Sequence, residues 1–196
     1  MKSTLIAATL AFATTAAVAT GAARAEPTTW AFDASHSQIV FSYDHLGFST
    51  TYGMFSGFEG EITFDAEDPA SSGVTVAFPV TTMLTGWEER FAHFMSDDFF
   101  NAAEHEMVRF VSTGIEVTGD ESARITGDLT MNGITRPVTL DARLNAMADH
   151  PMENRPWAGF DATTSVLRSD FDMGAFAPFV SDEVAITISI EAFQVD

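Results

Sequence analysis

The stretch ARITGDLTMNGITRPVTLDARL, Ala123 to Leu144, decides the fold. Ile125, Gly127, Leu129 and Met131 alternate with Thr126, Asp128 and Thr130; further on, Val138, Leu140, Ala142 and Leu144 alternate with Thr139, Asp141 and Arg143. A period of two sends successive side chains to opposite faces, so each run reads as a strand with one apolar and one polar face. Asn132-Gly133 sits between the runs, and this pair suits a turn whose two central residues both need positive φ. The two runs therefore form an antiparallel hairpin.

The same period recurs on both sides of it. Ile39, Phe41 and Tyr43 share a face, as do Ile62 and Phe64, then Val74, Val76 and Phe78, then Val108 and Phe110, with Ile115 and Val117 following. Beyond the hairpin come Phe160, Ala162, Thr164 and Val166, and then Val184, Ile186, Ile188 and Ile190. Asp68-Pro69, Gly119-Asp120, Asp149-His150-Pro151 and Arg155-Pro156 separate the runs as turn signals. Short strands without helices between them predict an all-β sandwich or barrel. One segment departs from the period: Trp87, Phe91, Phe94 and Met95 are spaced as one face of an amphipathic helix over Thr85 to Met95, with Thr85-Gly86-Trp87-Glu88 as a capping-box pattern and a short helical turn after it from Ser96 to Asn101.

A chain of 196 residues with no repeat and no linker suits one domain. Residues 1–25 read as a secretory signal: Lys2, an apolar stretch from Leu5 to Val18, and the small-x-small site Ala23-Arg24-Ala25. Its threonines dilute it below a membrane span, and nothing later is apolar enough to cross, so residues 26–196 are expected as an exported soluble domain in the periplasm. The leader carries off Lys2 and Arg24 but no acid, which turns the −19 of the whole chain into −21, with 7 Arg, no Lys and 28 acids. That charge excludes nucleic acid as a partner and disfavours anionic lipid surfaces. The absence of cysteine removes disulfide scaffolds, thiolate metal sites and cysteine nucleophiles.

Catalytic strings fail on inspection. His105-Glu106-Met107-Val108-Arg109 has Arg where a zinc protease needs its second His, and Gly53-Met54-Phe55-Ser56-Gly57 places its Ser one position too late for a nucleophile elbow. Glu89 and His93, four apart on the helix, offer two metal ligands where zinc needs more, and a solvated helix face explains them equally well. The expectation is a protein that is no enzyme and holds no metal and no cofactor; the alternative is a hydrolase or metal-dependent enzyme using His93 and neighbouring carboxylates.

What stands out is apolar bulk. Seventeen Phe and three Trp follow the leader, while Gly127, Ala142 and Ala162 leave space on the inward-reading face. A barrel of about eight strands has room for side chains alone or for one slender ligand. Composition leaves both readings open.

A run of motifs resembles one family. Trp30-Ala31-Phe32-Asp33-Ala34-Ser35-His36-Ser37 with Phe41 and His45-Leu46-Gly47 is similar to the opening of the YceI-like family of exported lipid-binding proteins. The resemblance continues through Phe55-x-x-Phe58-x-Gly60, Arg90-x-x-His93 with Ser96-Asp97-Asp98-Phe99-Phe100, Gly127-Asp128-Leu129-Thr130 with Gly133-x-Thr135-Arg136-Pro137-Val138, and Arg168-Ser169-Asp170-Phe171 with Val180-Ser181-Asp182-Glu183-Val184. It implies an extended antiparallel barrel of lipocalin-like shape that holds a long isoprenoid lipid, a polyprenyl chain or the tail of an isoprenoid quinone, in the periplasm. Strand phase then puts Phe41, Tyr43, Val76, Phe78, Phe110, Leu129, Leu140, Phe160 and Ile188 in the lumen. His45, Arg90, His93 and Asp170 are the expected polar groups of the mouth, with a purely structural hydrogen-bonding role as the alternative. Exposed aromatics around the helix offer a surface for a homodimer. Two departures from the family stand out: Phe91 follows the helix arginine where many relatives carry an acid, and Phe171 to Phe179 is unusually rich in Phe and Met.

Overall fold

A computed structural model describes residues 25–195, so the expected leader lies outside the described residues apart from Ala25. The elements in chain order are β1 (Thr28–Phe32), β2 (Gln38–His45), β3 (Ser49–Ser56), β4 (Glu59–Phe64), β5 (Gly73–Pro79), β6 (Met83–Leu84), α1 (Glu88–Met95), β7 (Met107–Gly119), β8 (Ser122–Met131), β9 (Ile134–Asp149), β10 (Pro156–Leu167) and β11 (Glu183–Gln194). Short 3₁₀ turns cover Pro69–Ser71, Val80–Thr82 and Arg168–Phe171.

Eight of the strands close a ring in the order β1-β4-β5-β7-β8-β9-β10-β11, and β11 returns to β1; every pairing is antiparallel. The first part of β11 pairs with β2 and its last part with β1, so β1 and β2 are two segments of one long wall strand. Likewise β3 pairs with β2, and β4 with β1. The break between β1 and β2 is bridged by Ser37, whose buried hydroxyl donates to the Glu191 carbonyl at 3.3 Å and accepts the Glu191 N–H at 3.2 Å. Trp30 lies opposite Gln194, so the two ends of the described chain leave the barrel side by side. The turn between β2 and β3, the α1 segment and the connection from β10 to β11 lie at the other end.

The hairpin of β8 and β9 forms as its sequence demands. Met131 faces Ile134 directly across a two-residue turn, and Asn132 and Gly133 take φ of 47° and 70°. Asn132 also donates its side-chain amide to the Phe171 carbonyl at 3.0 Å. Two bulges keep the apolar faces inward along the longest strands. In β7 the register shifts between Ser112 and Gly114, so the inward set passes from Val108 and Phe110 to Ile115 and Val117. In β9 the shift against Gly159 and Phe160 leaves Asn145 without a partner, and Leu144 and Met147 both face the lumen. Each bulge also adds twist and bend, which a closed barrel needs.

α1 starts at Glu88 with Trp87 at its N-cap and no side-chain cap bond, so the expected capping box does not form. Thr85 sits outside the helix, its hydroxyl donating to the Trp87 carbonyl, and its own carbonyl accepts a bond from Arg90. Phe91, Phe94 and Met95 pack against the barrel core, and Phe94 meets the rings of Phe41 and Tyr43. Trp87, the first residue of the expected stripe, is exposed.

Candidate functional site

The barrel is hollow. Its interior forms a cavity of about 1200 Å³, at or above the roughly 300–1,000 Å³ of ordinary small-molecule sites. It reaches from α1 and the β2–β3 turn at one end to the turn between β7 and β8 at the other. The 13 residues of β7, at about 3.3 Å each and tilted by ~35–45°, span roughly 30–35 Å of barrel axis.

All nine expected lumen residues line this space: Phe41, Tyr43, Val76, Phe78, Phe110, Leu129, Leu140, Phe160 and Ile188. Strand phase was sufficient to find them because burial on one face pins the register. The phenylalanines divide between two roles. Phe55, Phe58 and Phe78 are buried, with Phe78 in contact with both of the others at ring-centroid distances of 4.8 Å to Phe55 and 5.4 Å to Phe58, and they fill the interior there. Elsewhere the lumen stays open where side chains are small: Ala123 faces Ala142 and Ala142 faces Ala162, a belt of three alanines across β8, β9 and β10. Gly127, expected to leave free space, does not: the Phe110 ring occupies the place a Cβ would take, so this gap is filled from inside the protein.

The mouth at the α1 end holds three of the four expected polar residues. His45 bridges to Val180, Arg90 donates to the Thr85 carbonyl at 3.1 Å and lies over the Trp87 ring, and His93 sits edge-on to Phe99 with Asp98 3.4 Å from its Nε2. The fourth, Asp170, is misplaced by the sequence reading. It faces a small outer groove beside Arg136 and Pro137, because the strand period stops where the Arg168–Phe171 turn begins and the alternate positions no longer share a face.

Arg168 takes the inner position instead and was not anticipated as a site residue, although it continues the inward series Ala162, Thr164, Val166. Its guanidinium is buried and donates to four main-chain carbonyls: Ser181 at 2.9 Å, Met173 at 2.6 Å, Ala175 at 3.0 Å and Val180 at 3.0 Å. Burial lowers its pKa from the usual arginine value, opposed by the nearby Asp182 carboxylate. Asp182 in turn accepts both the hydroxyl and the N–H of Ser169, which hold its carboxyl below the ordinary range against the opposing effect of burial. These bonds fix the Phe- and Met-rich segment after Phe171: Phe171 and Met173 are buried, while Phe176 and Phe179 point out at the mouth. Also missed were Leu46, Trp87, Phe176 and Phe179 at this lip, and Arg143 with Asp120 and Glu121 near the far end. Leu46, Phe176 and Phe179 lie in loops, where apolar residues carry no periodic signal that would have revealed them; Trp87 did carry the helical period, as the first residue of the expected stripe.

Among the described residues, the group that brings three potential metal-ligand atoms within 4.8 Å of one another is Asp33, His36 and Glu191, which do not line the cavity; Glu89 and His93 have no such third member. The Asp33–His36 contact ties the turn between β1 and β2: Asp33 accepts from the Ser35 hydroxyl and N–H, and its other oxygen lies 2.5 Å from His36 Nδ1. That hydrogen bond, helped by the charges of Asp33 and Glu191, raises the His36 pKa. Burial alone would raise the Asp33 carboxyl, but the bonds from His36 and Ser35 outweigh it and hold it below its usual range.

Closed, antiparallel, hollow and apolar within, the molecule is a lipocalin-like barrel. Within that class the chain belongs to the YceI-like family, whose YceI-like domain matches residues 30–192. It is 40% identical over 162 residues to Protein YceI of Escherichia coli O157:H7, covering 83% of this chain and 84% of that one. It is 37% identical over 159 residues to a UPF0312 protein of Ectopseudomonas mendocina, covering 81% and 83%. Among solved structures, the Campylobacter jejuni YCEI protein superposes with a TM-score of 0.70 at 25% identity, over 78% of this chain and 90% of that one. A polyisoprenoid binding domain from Saccharophagus degradans, implicated in plant cell wall breakdown, shares the fold at a TM-score of 0.63 and 14% identity, over 86% and 99%.

Proposed function

We propose that this protein binds, stores or carries a long isoprenoid lipid, a polyprenyl chain or an isoprenoid quinone, in the barrel interior, acting by binding and release in the periplasm without catalytic turnover. The observation that carries the reading is the long apolar cavity: an isoprenoid tail has no hydrogen-bonding groups, and the walls along most of the lumen offer it none. Each 100 Å² of tail taken from water contributes about 2.5 kcal/mol, less the ordering cost of a flexible chain. The polar residues His45, Arg90 and His93 gather at one mouth, where a quinone or hydroxyl head group would need partners. Family membership and the shared fold of a polyisoprenoid binding domain support the same cargo.

The test is native mass spectrometry with organic extraction of protein purified from a membrane-bearing host. The expected result is a polyprenyl lipid or quinone at close to one per chain. Repeatedly empty preparations that take up no added quinone would overturn the reading.

A further inference from the structure

Five large apolar side chains stand in solvent around the mouth at the α1 end: Phe48 is 90% exposed, Phe179 74%, Trp87 58%, Phe176 57% and Leu46 47%. They come from three separate segments: the β2–β3 turn, the start of α1 and the loop after Phe171. Two of these segments are tied together, since Leu46 donates its N–H to the Phe179 carbonyl at 3.0 Å and His45 bridges to Val180. Phe176 packs against His93 and Phe99, whereas its outer part remains exposed. Leu46, Trp87, Phe176 and Phe179 also line the cavity, so part of its apolar wall continues onto the outer surface beside the polar residues of the mouth. Leu46 and Phe176 hold φ of 61° and 66°, a region bulky side chains rarely adopt, so backbone strain is sustained in the two loops that present the lip.

The surrounding charge selects the occupant. Asp44, Glu88, Glu89, Asp98 and Asp172 are exposed beside the lip or on the segments that carry it, in a chain of net charge −19. Two copies brought mouth to mouth would set like charges against each other, and an anionic bilayer would be repelled in the same way. A bilayer of zwitterionic lipid carries no such penalty, and Trp and Phe side chains partition favourably into its interfacial zone.

We propose that this lip is a membrane-docking surface that seats the cavity mouth in the interface of a zwitterionic bilayer, so that an isoprenoid chain passes between bilayer and barrel without crossing water. The proposal rests on the carrier reading above and deepens it.

The test uses the full-length mature protein and its Phe48→Asp variant, a change at a side chain that does not line the cavity. Binding to phosphatidylcholine vesicles is read by flotation, and uptake of a quinone is read separately from detergent micelles and from vesicles. The expected result is that wild-type protein floats with the vesicles, that the variant binds at least about tenfold more weakly, and that added phosphatidylglycerol weakens wild-type binding. Uptake from micelles is unchanged in the variant while uptake from vesicles falls. Equal flotation of both proteins, absence of wild-type binding to phosphatidylcholine, or a concentration-dependent wild-type dimer that Phe48→Asp dissolves would each overturn the docking proposal, the last by assigning the lip to a second copy. Failure of uptake from micelles as well as vesicles, with flotation intact, would count against the carrier reading and not against docking.

Discussion

Arg168 bonds four carbonyls from one planar head, a task that needs several donors in a fixed fork. Lysine offers three donors on a flexible stem and cannot reproduce it, so Arg168→Lys and Arg168→Met are both expected to destabilise the fold. Each carbonyl left without a donor costs about 1–3 kcal/mol, and thermal unfolding monitored by circular dichroism should show both variants melting well below the parent. The His36–Asp33 pair has a definite pH signature. The raised His36 pKa means its contribution is complete below the normal imidazole value and is lost as pH climbs through the raised one; the depressed Asp33 pKa means the carboxylate's contribution is present above the normal carboxylate value and is lost as pH falls through the depressed one. The turn is therefore held best in the interval between. In an NMR titration the His36 ring protons should reach their midpoint at a higher pH in the parent than in Asp33→Asn; equal midpoints would remove the ion pair from the account. At this scale the sequence was informative about type and poor about direction. Asp170 and Arg168 are two residues apart and both polar, yet only the arginine turns inward, because the chain leaves the extended conformation at Arg168.

Strands differ in how plainly they show themselves in the sequence, and the reason is what each one turns inward. β8 and β9 present Ile, Leu, Met and Val to the lumen and are unmistakable. β3 was not read as a strand because its inward positions are Ser49, Thr51, Gly53 and Phe55, a set with almost no hydrophobic period, while the exposed Tyr52 lies on the other face. Gly53 is required there: the Phe41 ring from β2 lies across the glycine opposite it, where any Cβ would collide. The alanine belt of β8, β9 and β10 gives the element scale its own prediction. Ala142→Phe, at the centre of the belt, should narrow the lumen without disturbing the hydrogen-bonded wall. Extraction followed by mass spectrometry is expected to recover a shorter isoprenoid, or less than one per chain, from a variant that still folds. Recovery of the parent's lipid at the parent's stoichiometry would show that this level of the barrel does not limit the cargo.

For the molecule as a whole, closure and charge act together. With no cysteine, the wall is sealed by the hydrogen-bonded return of β11 to β1 and, at the break in that wall strand, by the hydroxyl of Ser37. The excess of acids is distributed over the outside, so the folded state repels itself at low ionic strength. Raising NaCl from about 10 mM to about 150 mM shortens the Debye length from ~30 Å to ~8 Å, and the melting temperature is expected to rise with it; a flat or falling melting temperature would mean that local ion pairs outweigh the net field. The all-β class and the one α-helix among the described residues were legible in the period, whereas the hollow interior was not: the Phe content fitted a filled core equally well, and a cavity was implied only by the family resemblance. The lip was not legible either, since a phenylalanine in a loop reads the same whether it faces core or solvent.

Trp30 and Gln194 are neighbours at the end of the barrel remote from α1. A fluorophore, affinity handle or surface linker joined at either end of the described residues would therefore emerge at the pole of the barrel opposite the aromatic rim and leave that rim unobstructed, which suits the fold to oriented immobilisation.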